Sequence, residues 1–313
     1  MSGRFTCALI LAPVLCLAQA APVTLDRLVA DVAAKAVAQF APGLTADKIA
    51  LTVIDLGDRP HPVTASYRGD APAYPASVVK LFYLVAAHAW MQRGQLKQTP
   101  ELDRAMHDMI VSSTNDATQM IVDALTDTTG GPEMDAAALT AWMEKRNAVN
   151  RYFEGLGYKG VNVNQKTFAE GPYGRERQNR GPNFENNNRL TTNAVARLLL
   201  SIVLGKAVSA ERSLAMMNLL HRDPFSKSGN PDDQATKFSG AALPAGSEYY
   251  SKAGWTSTTR HDAAYIRLPN GKEYIIVVFT VDNSIRTEII PFVSKLIVDY
   301  FMRGVSQAFG LDR

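Results

Sequence analysis

Apolar residues recur at helical spacing near both ends of this chain and at strand spacing just inside them. Leu25, Leu28, Val29 and Val32 share one face of a helix predicted over residues 23–40. Residues 49–56 and 63–67 read as two strands joined through Gly57-Asp58-Arg59-Pro60. Residues 81–91 are apolar nearly all round, which predicts a buried helix ending near Gly94. Thr99-Pro100-Glu101 is an N-cap followed by proline at the first helical position, opening a helix to about Val111. Helices are expected over 116–125, stopped before Gly130-Gly131-Pro132, and over 136–153. Residues 192–204 and 210–220 return to helix. Residues 249–254, 261–268 and 273–281 read as strands, with Pro269-Asn270-Gly271 as a hairpin turn. Val293, Leu296, Ile297, Tyr300 and Phe301 mark a C-terminal amphipathic helix.

Strands therefore lie toward both ends, with helices between. The pattern predicts an α/β fold: one antiparallel sheet built from both chain ends and flanked by helices, plus an all-helical lobe. The α/β lobe is expected to take residues 21–75 and 206–313, and the helical lobe 76–205. A site is expected in the cleft between them. Residues 160–189 are rich in Asn, Gly and Arg with weak periodicity, and a loop of that length is expected to be functional or mobile.

The first twenty residues stand outside this pattern. Arg4 precedes an apolar stretch, and Ala18-Gln19-Ala20 supplies small residues for cleavage, the pattern of a secretory signal. The stretch is short for a transmembrane helix. Both cysteines, Cys7 and Cys16, fall inside it, so the mature chain is expected to contain no disulfide and no thiolate nucleophile. The expected product is periplasmic or secreted, without a stable membrane anchor. The formal net charge is +3 and no long basic run occurs, which argues against nucleic-acid binding. A monomer is the default expectation.

Candidate chemistry starts at Pro75-Ala76-Ser77-Val78-Val79-Lys80. Ser77 and Lys80 are three residues apart, on one face of a helix start. A serine hydroxyl needs a base before it attacks, and Lys80, set among Val78, Val79, Leu81 and Phe82, is placed to lose its proton readily. Ser113-Thr114-Asn115 follows at a junction between helices, where capping is the plain alternative. Lys252-Ala253-Gly254 ends a predicted strand, where a surface lysine and a turn glycine are the plain alternative. His261-Asp262 lacks the G-x-S-x-G elbow of a hydrolase triad and reads as the start of a strand. The scattered histidines predict no metal site.

Taken in order, these three elements resemble the signature of class A β-lactamases and penicillin-binding proteins. Tyr67-Arg68-Gly69-Asp70 before the Ser77 run, Arg189-Leu190-Thr191-Thr192 with Ala194-Val195-Ala196-Arg197-Leu198, and Leu243-Pro244-Ala245-Gly246 extend the likeness from about Leu25 to the C-terminus. The resemblance implies an exported serine hydrolase that opens a β-lactam amide through an acyl-Ser77 intermediate and needs no cofactor. It implies that Lys80 helps remove the proton, that Ser113 relays one to the leaving nitrogen, and that Asn115 binds the substrate amide. It implies that Lys252 holds the substrate carboxylate or tunes Ser113, with Arg260 as a second cation. The N–H groups of Ser77 and Trp255 would form an oxyanion hole, with Gly254 permitting close approach. The same resemblance leaves open a D-alanyl-D-alanine peptidase or another amidase or esterase, acting on a peptidoglycan-like acyl substrate, and an acylatable sensor without turnover.

Several positions depart from the family pattern. Ala253 replaces the usual hydroxyl residue, Thr114 replaces an aspartate, and the bulky Trp255 is expected to narrow or reshape the sheet side of the cleft. The spacing from Ser77 to Ser113 is shorter than in typical members. The family's deacylating glutamate, followed four residues later by asparagine, has no match in 160–189. Glu170 is the nearest by position, with Glu176 and Glu185 as alternatives, all three read as surface carboxylates.

Overall fold

The computed structural model describes residues 24–303. The expected leader, residues 1–20, lies outside them. A six-stranded antiparallel sheet has the order β2-β1-β6-β5-β4-β3. Its strands are β1 (Ile49–Asp55), β2 (Val63–Tyr67), β3 (His221–Arg222), β4 (Glu248–Trp255), β5 (Thr259–Arg267) and β6 (Glu273–Val281). The N-terminal β1 pairs with the C-terminal β6, Thr52 opposite Val277, so the sheet closes only when both chain ends meet. Helix α1 (Leu25–Gln39) and helix α10 (Ile289–Arg303) cover one face, through a core that includes Leu28, Val53, Ile276 and Ile297.

The other face carries Ala263, Ile275, Val277 and Phe279 into a second core shared with the helices. With both faces covered, β6 loses the polar alternation of a half-solvated strand and reads Tyr-Ile-Ile-Val-Val-Phe. The middle of the chain supplies α2 (Lys80–Gln92), α3 (Pro100–His107), α4 (Asn115–Thr126), α5 (Ala136–Arg146), α6 (Ala148–Gly155) and α7 (Gly174–Arg180). Helix α2 is buried on nearly every side, as its uniform apolarity predicts. Each large apolar side chain so buried contributes about 1.5–3 kcal/mol. Helix α8 (Thr192–Val203) lies on the sheet, where Thr52 donates to Thr192 Oγ1 at 2.8 Å, and α9 (Ala210–Leu220) precedes β3.

Three local features differ from the expectations. The helix expected over 136–153 breaks at Asn147, whose side-chain oxygen accepts from Asn150 and Asn164 instead of continuing a helical surface. The long loop contains α7, whose run Gly-Arg-Glu-Arg-Gln-Asn-Arg has no apolar stripe to announce it. Strand β3 spans two residues, too few for an alternation to show. Among the described residues no helix is long and apolar enough to cross a membrane.

Candidate active site

Ser77 sits in a short 3₁₀ turn (Ala76–Val79) that runs directly into α2. Lys80, the first residue of α2, donates its backbone N–H to the carbonyl of Ser77. Ala76 holds a φ of 45°, a left-handed conformation that costs a non-glycine residue energy and persists only where the surroundings impose it. Those surroundings include His261. The backbone N–H of Thr280 donates to His261 Nδ1 at 3.1 Å, so the proton resides on Nε2, which donates to Tyr74 O at 2.9 Å. Burial pushes this imidazole down to about 4, keeping it neutral. His261 thus anchors the chain three residues before the nucleophile. Asp262 faces the opposite side of the sheet, accepting from Ser239 N and Tyr249 Oη, so the two do not form a dyad.

The backbone of β4 presses against the Ser77 turn. A Cβ on Gly254 would fall 2.7 Å from Ser77 N and 2.8 Å from Val78 N. Only glycine allows this approach, because the atoms met are backbone and cannot move aside.

The Ser113 turn completes the constellation. Helix α3 continues as a π-helical turn (Asp108–Ser112) and ends with Ser113 at φ 59°, in the left-handed region. Thr114 N donates back to Asp108 O at 3.0 Å, closing the helix end. The carbonyls freed by the wider turn are met by side chains. Arg222 donates to Val111 O and Ile110 O at 2.9 and 2.7 Å, and Gln234 Nε2 donates to Val111 O at 3.1 Å. Lys80 Nζ reaches this turn, at 2.6 Å from Ser113 O, 3.3 Å from Ser113 Oγ and 3.1 Å from Asn115 Oδ1.

Lys80 is 0 % exposed, and no carboxylate is among its hydrogen-bond partners. Desolvation pushes its amine down to about 7, where a neutral, proton-accepting form is populated at physiological pH. Ser77 itself is half-buried, open enough to receive a substrate. Among the described residues no hydrogen bond joins the Ser77 hydroxyl to Lys80. Lys252, also 0 % exposed, donates to Gln234 Oε1 and to Ala253 O, both at 2.6 Å. Burial, with Lys80 and Arg222 nearby, pushes its amine well below the usual lysine value.

Ser77, Lys80, Ser113, Asn115, Lys252 and Gly254 are thereby brought together from the helical lobe and the sheet. Arg260 and the Trp255 ring are not. Strand alternation puts both on the α1–α10 face, opposite Gly254 and His261. The Arg260 guanidinium is committed to Asp232 at 2.7 Å and lies over the Phe238 ring, which also neighbours Trp255. The Trp255 ring therefore does not narrow the cleft, and the Ala253 methyl is buried in the same far core.

The long loop places its carboxylates unevenly. Glu170 is exposed and lines a cavity of about 110 Å³ with Tyr74, Gln165, Lys166, Phe168, Arg180 and Asn187. Glu185 is exposed and accepts from the backbone of Asn183. Glu176 is not a surface carboxylate. It is 3 % exposed, with Oε1 bound by Arg146 at 2.8 Å and Lys166 at 3.1 Å, and Oε2 by Arg146 at 3.0 Å. Gln165 is fixed by Tyr83, which donates to its carbonyl at 2.6 Å, and by a two-way pairing with Asn188. Gln234 was not singled out in the sequence, and His261 was read there only as the start of a strand. Nothing local marks either one, because each acts through a partner distant in the chain.

Comparison with known proteins agrees with this fold. By fold the chain is similar to a β-lactamase from Sphaerobacter thermophilus, with 21% identity, a TM-score of 0.61, and coverage of 91% of this chain and 98% of that one. It is similar to PBP-A at 20% identity and a TM-score of 0.62, covering 89% and 97%. A β-lactamase from Burkholderia vietnamiensis gives 16% identity and a TM-score of 0.62, covering 88% and 97%. Among curated proteins no sequence matches. The model of the β-lactamase enzyme family matches residues 32–301. Its reach across both lobes, with the assembled serine and lysines, means that the chain belongs to the β-lactamase enzyme family, within the serine β-lactamase and penicillin-binding-protein superfamily of hydrolases.

Proposed function

We propose that this protein is an exported acyl-enzyme hydrolase of class A β-lactamase type, with Ser77 as the nucleophile and a β-lactam amide as the bond opened. The observation that carries the reading is the contact of Gly254 with the backbone of Ser77 and Val78, beside a buried lysine amine held near neutrality. In the reaction proposed, neutral Lys80 takes the Ser77 proton and Ser77 Oγ bonds to the carbonyl carbon. The N–H groups of Ser77 and Trp255 stabilise the tetrahedral oxyanion. Ser113 passes a proton to the departing nitrogen as the C–N bond breaks, and Asn115 holds the acyl amide. Water then releases the acid from Ser77.

A second reading is favoured by the long loop. Glu176 is consumed by two cations, and Glu170 is exposed and makes no hydrogen bond among the described residues. Slow deacylation follows, and the behaviour would be that of a penicillin-binding protein, another amidase or esterase of the superfamily, or an acylatable sensor. Intact-mass measurement of the protein mixed with a penicillin, at seconds and at one hour, separates the readings. An early adduct that vanishes as hydrolysed drug accumulates supports the lactamase. A persistent adduct supports the second reading. An adduct that survives in Ser77→Ala overturns both.

A further inference from the structure

Lys252 is wholly buried, yet its hydrogen-bond partners are neutral oxygens: the Gln234 side chain and the Ala253 carbonyl. Gln234, 8 % exposed, does more than accept from Lys252. Its Oε1 also accepts from Ala253 N at 3.2 Å, and its Nε2 donates to Val111 O at 3.1 Å. One amide therefore bridges β4 to the turn that bears Ser113, closing over the lysine where the two sides of the cleft meet. An amide oxygen is the uncharged counterpart of a carboxylate oxygen and fills the same place on an ammonium group.

The neighbouring cations provide no substitute. Arg222 spends both terminal nitrogens on Ile110 O and Val111 O. Arg260 faces the other side of the sheet and is paired with Asp232. Residue 253 is a methyl buried in the far core rather than a hydroxyl in the cleft. A ligand carboxylate reaching Lys252 must expel the Gln234 amide, leaving Ala253 N short of a partner and Val111 O with Arg222 as its donor, and must itself be desolvated.

We propose that Gln234 sets substrate specificity by holding, with its own amide oxygen, the position on Lys252 that a substrate carboxylate would need, so that the cleft selects amides and esters uncharged beside the scissile carbonyl. This rests on the acyl-Ser77 reading and names its substrate class. The burial that lowers the charge on Lys252 acts in the same direction.

The test compares Ser77 acylation by benzylpenicillin and by its methyl ester, which share one ring and differ in the carboxylate. Rate constants are read by intact mass in the wild-type chain and in Gln234→Ala. The wild type is expected to accept the methyl ester at least as fast as the free acid. In Gln234→Ala the acid-to-ester ratio is expected to rise by about tenfold, the worth of one charge-assisted hydrogen bond. Should Gln234→Ala not fold, Gln234→Glu retains the bond to Lys252 and adds a fixed negative charge, so the ratio should fall below the wild-type value. A wild-type preference for the free acid of tenfold or more, or a ratio unmoved in whichever variant folds, overturns the specificity role. No adduct with either compound overturns the acyl-Ser77 reading itself, and this inference with it.

Discussion

The turn that bears Ser77 and the loop over residues 160–189 border one cleft but are held by opposite means. Backbone packing holds the turn: β4 lies against Ser77 N, His261 anchors Tyr74, and apolar α2 surrounds Lys80. Polar side chains hold the loop: Glu176 with Arg146 and Lys166, and Gln165 with Asn188 and Tyr83. In the turn, burial without a carboxylate lowers an amine to about 7. In the loop, burial with two cations makes a carboxylate inert. The same desolvation thus lowers an amine on one side and commits the other side's buried acid to structure.

The largest expected effect tests the turn. Lys80→Met should slow Ser77 acylation by about 10²–10⁴-fold, the usual worth of a positioned base. Rapid-mixing mass spectrometry reads it, and an unchanged rate would remove Lys80 from the chemistry. Next comes the loop. Glu176→Gln removes the more buried of two anions that Arg146 and Lys166 share, leaving them Asp123, and losing one partner of a buried pair costs up to about 3–5 kcal/mol. Chemical denaturation should show that loss, while exposed Glu170→Gln stays within about 0.5 kcal/mol of wild type. If the two behaved alike, the assignment of Glu176 to structure would fail.

Gly254→Ala sharpens the contrast from the sheet side. The added methyl meets backbone at 2.7 Å, and overpacking of this kind costs about 1–3 kcal/mol. Acylation should fall with stability, because the displaced group is the Ser77 turn; a variant with normal acylation would show that β4 does not shape the site.

The last effect is a pH dependence. Lys80 titrates at about 7 in the folded chain against 10.5 for the ordinary side chain, so acylation should rise with pH through a midpoint near 7. For stability, the unfolded chain binds the extra proton between these values. Stability contributed by this group therefore increases as pH rises from about 7 toward 10.5, and is least below 7. Urea midpoints across that window check the sign.

Much of the fold was legible because its signals are local. Periodicity marks α1, α10 and the five longer strands, and uniform apolarity marks α2 as buried. Ser77 with Lys80, Ser113 with Asn115, and Lys252 with Gly254 were legible as short motifs. The loop was not, since Gly174–Arg180 forms a helix through tertiary ion pairing of Glu176 rather than through an apolar stripe. Arg260 shows the same limit, because its position in sequence says that it is near Lys252 but not which face it takes.

The sequence by itself determined where the longer helices and strands fall and which serine and lysines are the candidates for the chemistry, because backbone preference and spacing act over a few residues. Only the tertiary structure decided what those groups become. Gln234 occupies Lys252, Arg260 faces away from Gly254, and two cations bind Glu176. Desolvation and hydrogen bonding depend on neighbours tens of residues away, and no local pattern encodes them.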